Sequence, residues 1–181
     1  MESEFMDFFA DAITSDRRAV ARFNFVYMEL GRRSPGPPKA SEDTYSAVVE
    51  HLRETLRPES LFIGGKSYGG RMASHIAAAG VPVDGLVFLG YPLHAPGKPE
   101  NIRAAHLADI TTPMLFVEGT RDPFCPLPTL EKVTAKLSVP MKLIVVDGGD
   151  HSFKVPKSSG RTTKQAWSEA AREISEWLER S

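Results

Sequence analysis

The segment Leu61-Phe62-Ile63-Gly64-Gly65-Lys66-Ser67-Tyr68-Gly69-Gly70 passes from three large apolar residues into a run of glycines around one serine. The apolar run is short and unbroken, the pattern of a strand buried on both faces. Beyond the glycines, Met72, Ala73, Ile76 and Ala77 recur at helical spacing up to Gly80. Gly65-Lys66-Ser67-Tyr68-Gly69 fits G-x-S-x-G, a sharp strand-to-helix turn that holds a serine hydroxyl above a sheet. Gly65 and Gly69 are expected to keep that turn clear of the neighbouring strand and helix. Gly65-Lys66-Ser67 also ends like a phosphate-binding loop, G-x-x-x-x-G-K-[ST], but that motif needs glycine at position 60, where Ser60 stands. Nucleotide binding is therefore set aside.

The same logic extends in both directions. Leu86 to Leu89, Met114 to Val117 and Leu143 to Val146 are further short apolar runs, each followed by glycine within a few residues. Helical patterns lie between and after them at about 68–79, 127–137 and 163–179, the last with Ala166, Trp167, Ala170, Ala171, Ile174, Trp177 and Leu178 on one face. Upstream, Phe5, Phe8, Phe9, Ala12 and Ile13 predict a first helix over Ser3 to Ser15, and the alternation of Ala19 to Phe25 predicts a strand. Ser34-Pro35-Gly36-Pro37-Pro38 marks a loop. Tyr45, Val48, Val49, Leu52 and Leu56 predict a helix capped by Ser41 and stopped before Pro58. Strand and helix in alternation specify an α/β fold, a mostly parallel sheet of about five strands with helices on both faces, and ligands bind such sheets at the carboxyl ends of the strands.

At 181 residues and 19.9 kDa, the expectation is a single domain spanning 1–181. Lys and Arg number 22 and Asp and Glu 23, a net charge of -1, which argues against nucleic-acid or membrane-surface binding through bulk electrostatics. One cysteine allows no internal disulfide and no cysteine zinc cluster. The acidic start Met1-Glu2-Ser3-Glu4 is unlike a signal peptide, so a cytoplasmic location is expected, with no metal and no cofactor.

A serine hydroxyl is a poor nucleophile at neutral pH and needs a base, which in turn needs an orienting group. His151, in Asp147-Gly148-Gly149-Asp150-His151-Ser152-Phe153, follows a strand and so shares a rim with Ser67. Asp122, in Gly119-Thr120-Arg121-Asp122-Pro123, follows the preceding strand. Asp147 and Asp150 are the competing acids. His94 reads as an ordinary loop histidine within reach of a substrate, and His51, His75 and His106 as packing or solvated residues. Cys125 reads as a small apolar residue.

Taken together, Gly65-Lys66-Ser67-Tyr68-Gly69-Gly70-Arg71, Gly119-Thr120-Arg121-Asp122-Pro123 and Gly149-Asp150-His151-Ser152-Phe153 resemble the alpha/beta hydrolase superfamily, in the serine, acid, histidine chain order of that group. They are most similar to its small, lidless dienelactone-hydrolase-like branch, with the testis-expressed hydrolase-like proteins and a hydrolase-like subunit of a chromatin complex. The resemblance covers nearly the whole chain and implies a three-layer sandwich and a serine hydrolase acting on an ester, thioester or related acyl bond of a small molecule. Ser67 would be the nucleophile, His151 the base, Asp122 its orienter and the backbone N–H of Tyr68 an oxyanion donor. The loop Pro92 to Pro113, where larger relatives insert a lid, implies an open site.

The resemblance further implies strands ahead of the first helix, and a His-Gly-rich loop after one of them that supplies the second oxyanion donor. This sequence opens on the helix that would follow, so an amino-terminally shortened domain is expected. Three arrangements would then be open: direct pairing of the strands at 19–25 and 61–63, a longer natural chain, or a homodimer or partner protein completing the sheet. Asn24 and Tyr27 are candidates for a substitute donor. The alternative to an enzyme is a non-catalytic interaction module of the same fold.

Overall fold

The computed structural model describes residues 3–180. The four apolar runs become strands β1 (Phe62–Lys66), β2 (Gly85–Leu89), β3 (Met114–Gly119) and β4 (Met141–Val146), paired in parallel in the order β1-β2-β3-β4. Around them lie helices α1 (Glu4–Ile13), α2 (Val26–Glu29), α3 (Pro38–Leu56), α4 (Tyr68–Ala78), α5 (Leu127–Thr134) and α6 (Thr163–Leu178).

Because side chains alternate across a strand, each strand feeds two cores. Ile63, Leu86, Phe88, Met114 and Phe116 face Tyr45 and Val49 of α3, Met72 and Ile76 of α4, and Leu130 of α5. Leu89, Leu115, Val117, Ile144 and Val146 face Phe5 and Phe9 of α1 and Trp167, Ala170 and Ile174 of α6. Each large side chain so buried stabilises the fold by about 1.5–3 kcal/mol before entropy is counted. The second core is tied by aromatic contacts, with the Phe5 ring 4.7 Å from Phe9, 5.4 Å from Phe153 and 5.3 Å from Trp167. Thr162 starts α6 with a capping box, its hydroxyl accepting from the Gln165 N–H while the Gln165 side chain accepts from the Thr162 N–H. The α/β class with helices on both faces is what the sequence predicts.

Two expectations need correcting. The segment 19–25 forms no regular element and joins no ladder, so the sheet has four strands among the described residues and not five. Alternation is only half of a strand; the other half is a free edge to pair with. On the outer edge of β1, the Gly64 C=O accepts from the Tyr45 hydroxyl, and the Gly64 N–H donates to that hydroxyl at 3.0 Å. Tyr45 thus takes the hydrogen bonds a fifth strand would use, and Phe23 and Phe25 pack on its ring with centroids 5.0 and 6.2 Å away. The second correction concerns α3, which starts at Pro38 with Pro37 as its N-cap. Proline suits the first helical position because its missing N–H has no intrahelical acceptor there. Ser41 is instead buried inside the helix, 2% exposed.

Candidate active site

The rim at the carboxyl ends of β1, β3 and β4 gathers three side chains from three loops. Ser67 sits between β1 and α4 at φ 51° and ψ -116°, a backbone conformation rare outside glycine and typical of strained functional turns. The glycines that permit this differ in part from expectation. Gly65 has φ 152°, and a β-carbon there would lie 3.1 Å from the Gly69 carbonyl carbon. Gly69 itself has open space around it, whereas a β-carbon at Gly70 would lie 2.6 Å from the Gly65 carbonyl oxygen. Close approach therefore demands glycine at 65 and 70, and the motif's last glycine is not the crowded one.

His151 Nε2 lies 2.9 Å from Ser67 Oγ, and His151 Nδ1 lies 2.6 Å from Asp122 Oδ2. A carboxylate can only accept, so Nδ1–H donates to Asp122 and the lone pair of Nε2 accepts from the Ser67 hydroxyl. The Asp122 side chain has no solvent exposure, and its other oxygen accepts from the Phe124 N–H at 2.8 Å. His151 is 20% exposed at its side chain and meets the Phe124 ring edge-on at 4.8 Å. Gly90 completes the fit, since a β-carbon there would come within 3.2 Å of His151 Nδ1. Tyr68 opens α4, where a backbone N–H has no intrahelical acceptor and can point at a negative oxygen above Ser67.

Neither competing acid bonds His151, whose Nδ1 is taken by Asp122. Asp150 Oδ1 accepts from the N–H groups of Ser152 at 2.7 Å and Lys154 at 3.0 Å, shaping the histidine loop, and Asp147 is exposed. Asn24 donates one amide N–H to Glu29 Oε1 at 2.6 Å. The Tyr27 ring packs edge-on against Tyr68 at 6.3 Å, and burial followed by the neighbouring Tyr68 raises its hydroxyl pKa. His94 is buried, not solvated, with its ring nitrogens 2.9 Å from the Ala95 carbonyl and 3.1 Å from the Pro123 carbonyl. It thereby braces the turn that carries Asp122. Cys125 is fully buried, and burial pushes its thiol pKa up, in keeping with a packing residue.

Three features escape a linear reading. The first is Glu118, at the end of β3 and fully buried, whose Oε1 accepts from the Tyr91 N–H at 2.6 Å. Burial, with Asp122 nearby, raises its carboxyl pKa well above the usual range. The signal was available: an ionisable residue ending the apolar run Met114-Leu115-Phe116-Val117. The second is a buried constellation on α4. Ser74 donates to the Arg71 carbonyl at 2.7 Å and lies 3.0 Å from the Tyr91 hydroxyl and 2.8 Å from His106 Nε2. Burial, then His75 and Arg71, holds the His106 pKa down to about 4. With Arg71 donating to the Arg103 carbonyl, this cluster fastens the loop 92–113 onto α4. The third is Lys66, whose ammonium reaches the histidine loop. Among the described residues no group of His, Cys, Asp and Glu side chains could hold a metal ion, and no helix is long and apolar enough to cross a membrane.

A family model described as an alpha/beta hydrolase domain matches residues 1–179. Among solved structures, the chain is similar to the esterase domain of a Rhodothermus marinus protein, with TM-score 0.71 at 14% identity, covering 97% of this chain and 80% of that one. It is also similar to a dienelactone hydrolase from Anabaena variabilis, with TM-score 0.70, 17% identity and coverage of 98% and 79%. An alpha-beta serine hydrolase homologue from Coxiella burnetii matches with TM-score 0.64, 15% identity and coverage of 96% and 76%. At these identities the likeness is one of fold.

Proposed function

From the premise that this chain belongs to the alpha/beta hydrolase family, we propose that it is a serine hydrolase that cleaves an ester, thioester or related acyl bond of a small molecule through an acyl-enzyme. The observation that carries this reading is the continuous hydrogen-bonded relay from Ser67 through His151 to the buried Asp122. Ser67 Oγ attacks the carbonyl carbon as His151 Nε2 takes its proton, and the carbonyl oxygen becomes an oxyanion facing the Tyr68 N–H. Asp122 holds the imidazole in the productive tautomer and stabilises the imidazolium. The imidazolium then gives its proton to the leaving group, and water, deprotonated by the same nitrogen, releases the acid. Among the described residues Tyr68 is the one oxyanion donor identified. Loss of a single such donor typically lowers turnover by about 10² to 10³, so modest rates are expected.

That single donor is what favours the second reading, a non-catalytic interaction module. A fluorophosphonate probe separates the two. Covalent labelling of the folded protein at Ser67, absent in Ser67→Ala, supports the hydrolase; a folded protein that resists the probe and turns over no short-chain ester is the module.

A further inference from the structure

Lys66 lies next to the nucleophile in sequence, yet its side chain serves a different loop. Its Nζ donates to the main-chain carbonyl of His151 at 3.2 Å, the one hydrogen bond that carbonyl receives among the described residues. On its other side the ammonium sits 5.2 Å from the centre of the Phe5 ring, an aromatic face that attracts a cation. Phe5 is itself 5% exposed and packed between α1, α6 and Phe153 of the histidine loop. Three parts of the fold, the end of β1, the loop 147–154 and α1, therefore meet at one ammonium group. The rest of the histidine loop is held by its own turns and by Trp167 Nε1 donating to the Ser152 carbonyl at 2.9 Å, one residue beyond His151.

We propose that Lys66 is a positioning residue for His151: its ammonium, bonded to the histidine's main-chain carbonyl, holds that backbone against the nucleophile strand and so sets the distance from Nε2 to the Ser67 hydroxyl. The proposal rests on the triad reading given above. Geometry sets the effect, because a misplacement of about 1 Å between nucleophile and base can cost on the order of 100-fold in rate. The charged and titratable neighbours of this ammonium are Asp122 and Glu118 from the β3 side and Asp150 and Lys154 from the histidine loop. Burial lowers the Lys66 pKa, while Asp122, Asp150 and Glu118 pull it back up and so help keep the side chain charged.

The test compares wild type, Lys66→Met, which removes donor and charge at similar volume, and Lys66→Arg, which keeps both. Two readouts are followed: the backbone NMR chemical shifts of residues 147–154 and the rate of fluorophosphonate labelling of Ser67. In Lys66→Met the shifts of this loop are expected to move and labelling to slow by about 10- to 100-fold. Lys66→Arg restores both to near wild type. Should the methionine variant fail to fold, Lys66→Leu, which likewise removes the donor, carries the same comparison. A folded methionine or leucine variant with unchanged loop shifts and unchanged labelling overturns the proposal. Wild type that resists the probe, together with loop shifts that move in Lys66→Met and return in Lys66→Arg, would instead leave the Lys66 contact standing and sink the triad reading.

Discussion

The described residues contain two serine–histidine pairs at nearly the same distance, Ser67–His151 at 2.9 Å and Ser74–His106 at 2.8 Å, and only in the first does the histidine go on to bond a carboxylate. Ser74 is fully buried in the body of α4, and its proton is given to the Arg71 carbonyl. The Tyr91 hydroxyl lies within reach of both Ser74 Oγ at 3.0 Å and His106 Nε2 at 3.2 Å, so the ring nitrogen is shared and no carboxylate fixes its proton. At Ser67 the hydroxyl has a single hydrogen-bond partner among the described residues. Asp122 claims the Nδ1 proton, Nε2 is free to accept, and the strained turn holds the hydroxyl at the rim. A short Ser–His contact thus decides nothing by itself; the third group on the ring and the backbone under the serine determine which atom gives the proton.

The sharpest way to break this contrast is paired substitution. Ser67→Ala is expected to abolish fluorophosphonate labelling, while Ser74→Ala should label within a few-fold of wild type yet lose about 1–3 kcal/mol in chemical denaturation, because Tyr91 and His106 each lose a hydrogen-bond partner in the core. A folded Ser74→Ala protein that no longer labels would erase the distinction. Next in size, Asp122→Asn should lower turnover of an activated ester by about 10⁴ at unchanged fold, since the amide can donate to Nδ1 and impose the wrong tautomer. His106 has no carboxylate partner in its contacts, and His106→Asn should leave turnover nearly untouched. The steady-state kcat of both variants, side by side, checks the pair.

The turn beneath Ser67 offers a third, smaller test. Gly70→Ala forces a β-carbon to 2.6 Å from the Gly65 carbonyl oxygen and should cost about 1–3 kcal/mol, seen as a lower melting temperature. Gly69→Ala, with open space around it, should melt close to wild type. Equal melting of the two would show that crowding at 70 is not what shapes the turn.

The smallest effect is one of pH. His106 is held down to about 4 from an ordinary 6.5, so the unfolded chain binds its proton more readily than the folded one. Its contribution to stability is complete above pH 6.5 and is lost progressively as pH falls toward 4. The melting temperature of His106→Asn should therefore depend less steeply on pH than that of wild type across this window; parallel curves would mean that His106 titrates normally.

Much of this was legible along the chain. The four buried strands announced themselves as apolar runs, because a strand covered on both faces has no polar side to show. Ser67, Asp122 and His151 could be nominated because each follows such a run and so falls on one rim. The strand expected at 19–25 was misjudged for the complementary reason. Its alternating side chains were visible, but the edge it would have joined is occupied by the Tyr45 hydroxyl, nineteen positions from Gly64 in sequence. Asp150 competed with Asp122 on paper because both are loop acids; only in space is Asp150 seen to be consumed by the N–H groups of Ser152 and Lys154.

What the sequence determined by itself is the alternation of strand and helix, the family and the identity of the three candidate side chains, since these follow from periodicity and from motifs local to a few residues. The tertiary structure decided which serine meets a histidine that is itself bonded to a carboxylate, which acid that is, which glycine the turn cannot do without, and where the Lys66 ammonium is placed. Each of these is a contact at hydrogen-bond or van der Waals range between residues that are, for the most part, far apart in the chain. Such contacts are fixed only when the sheet brings their loops onto a common rim, and no spacing along the chain encodes them.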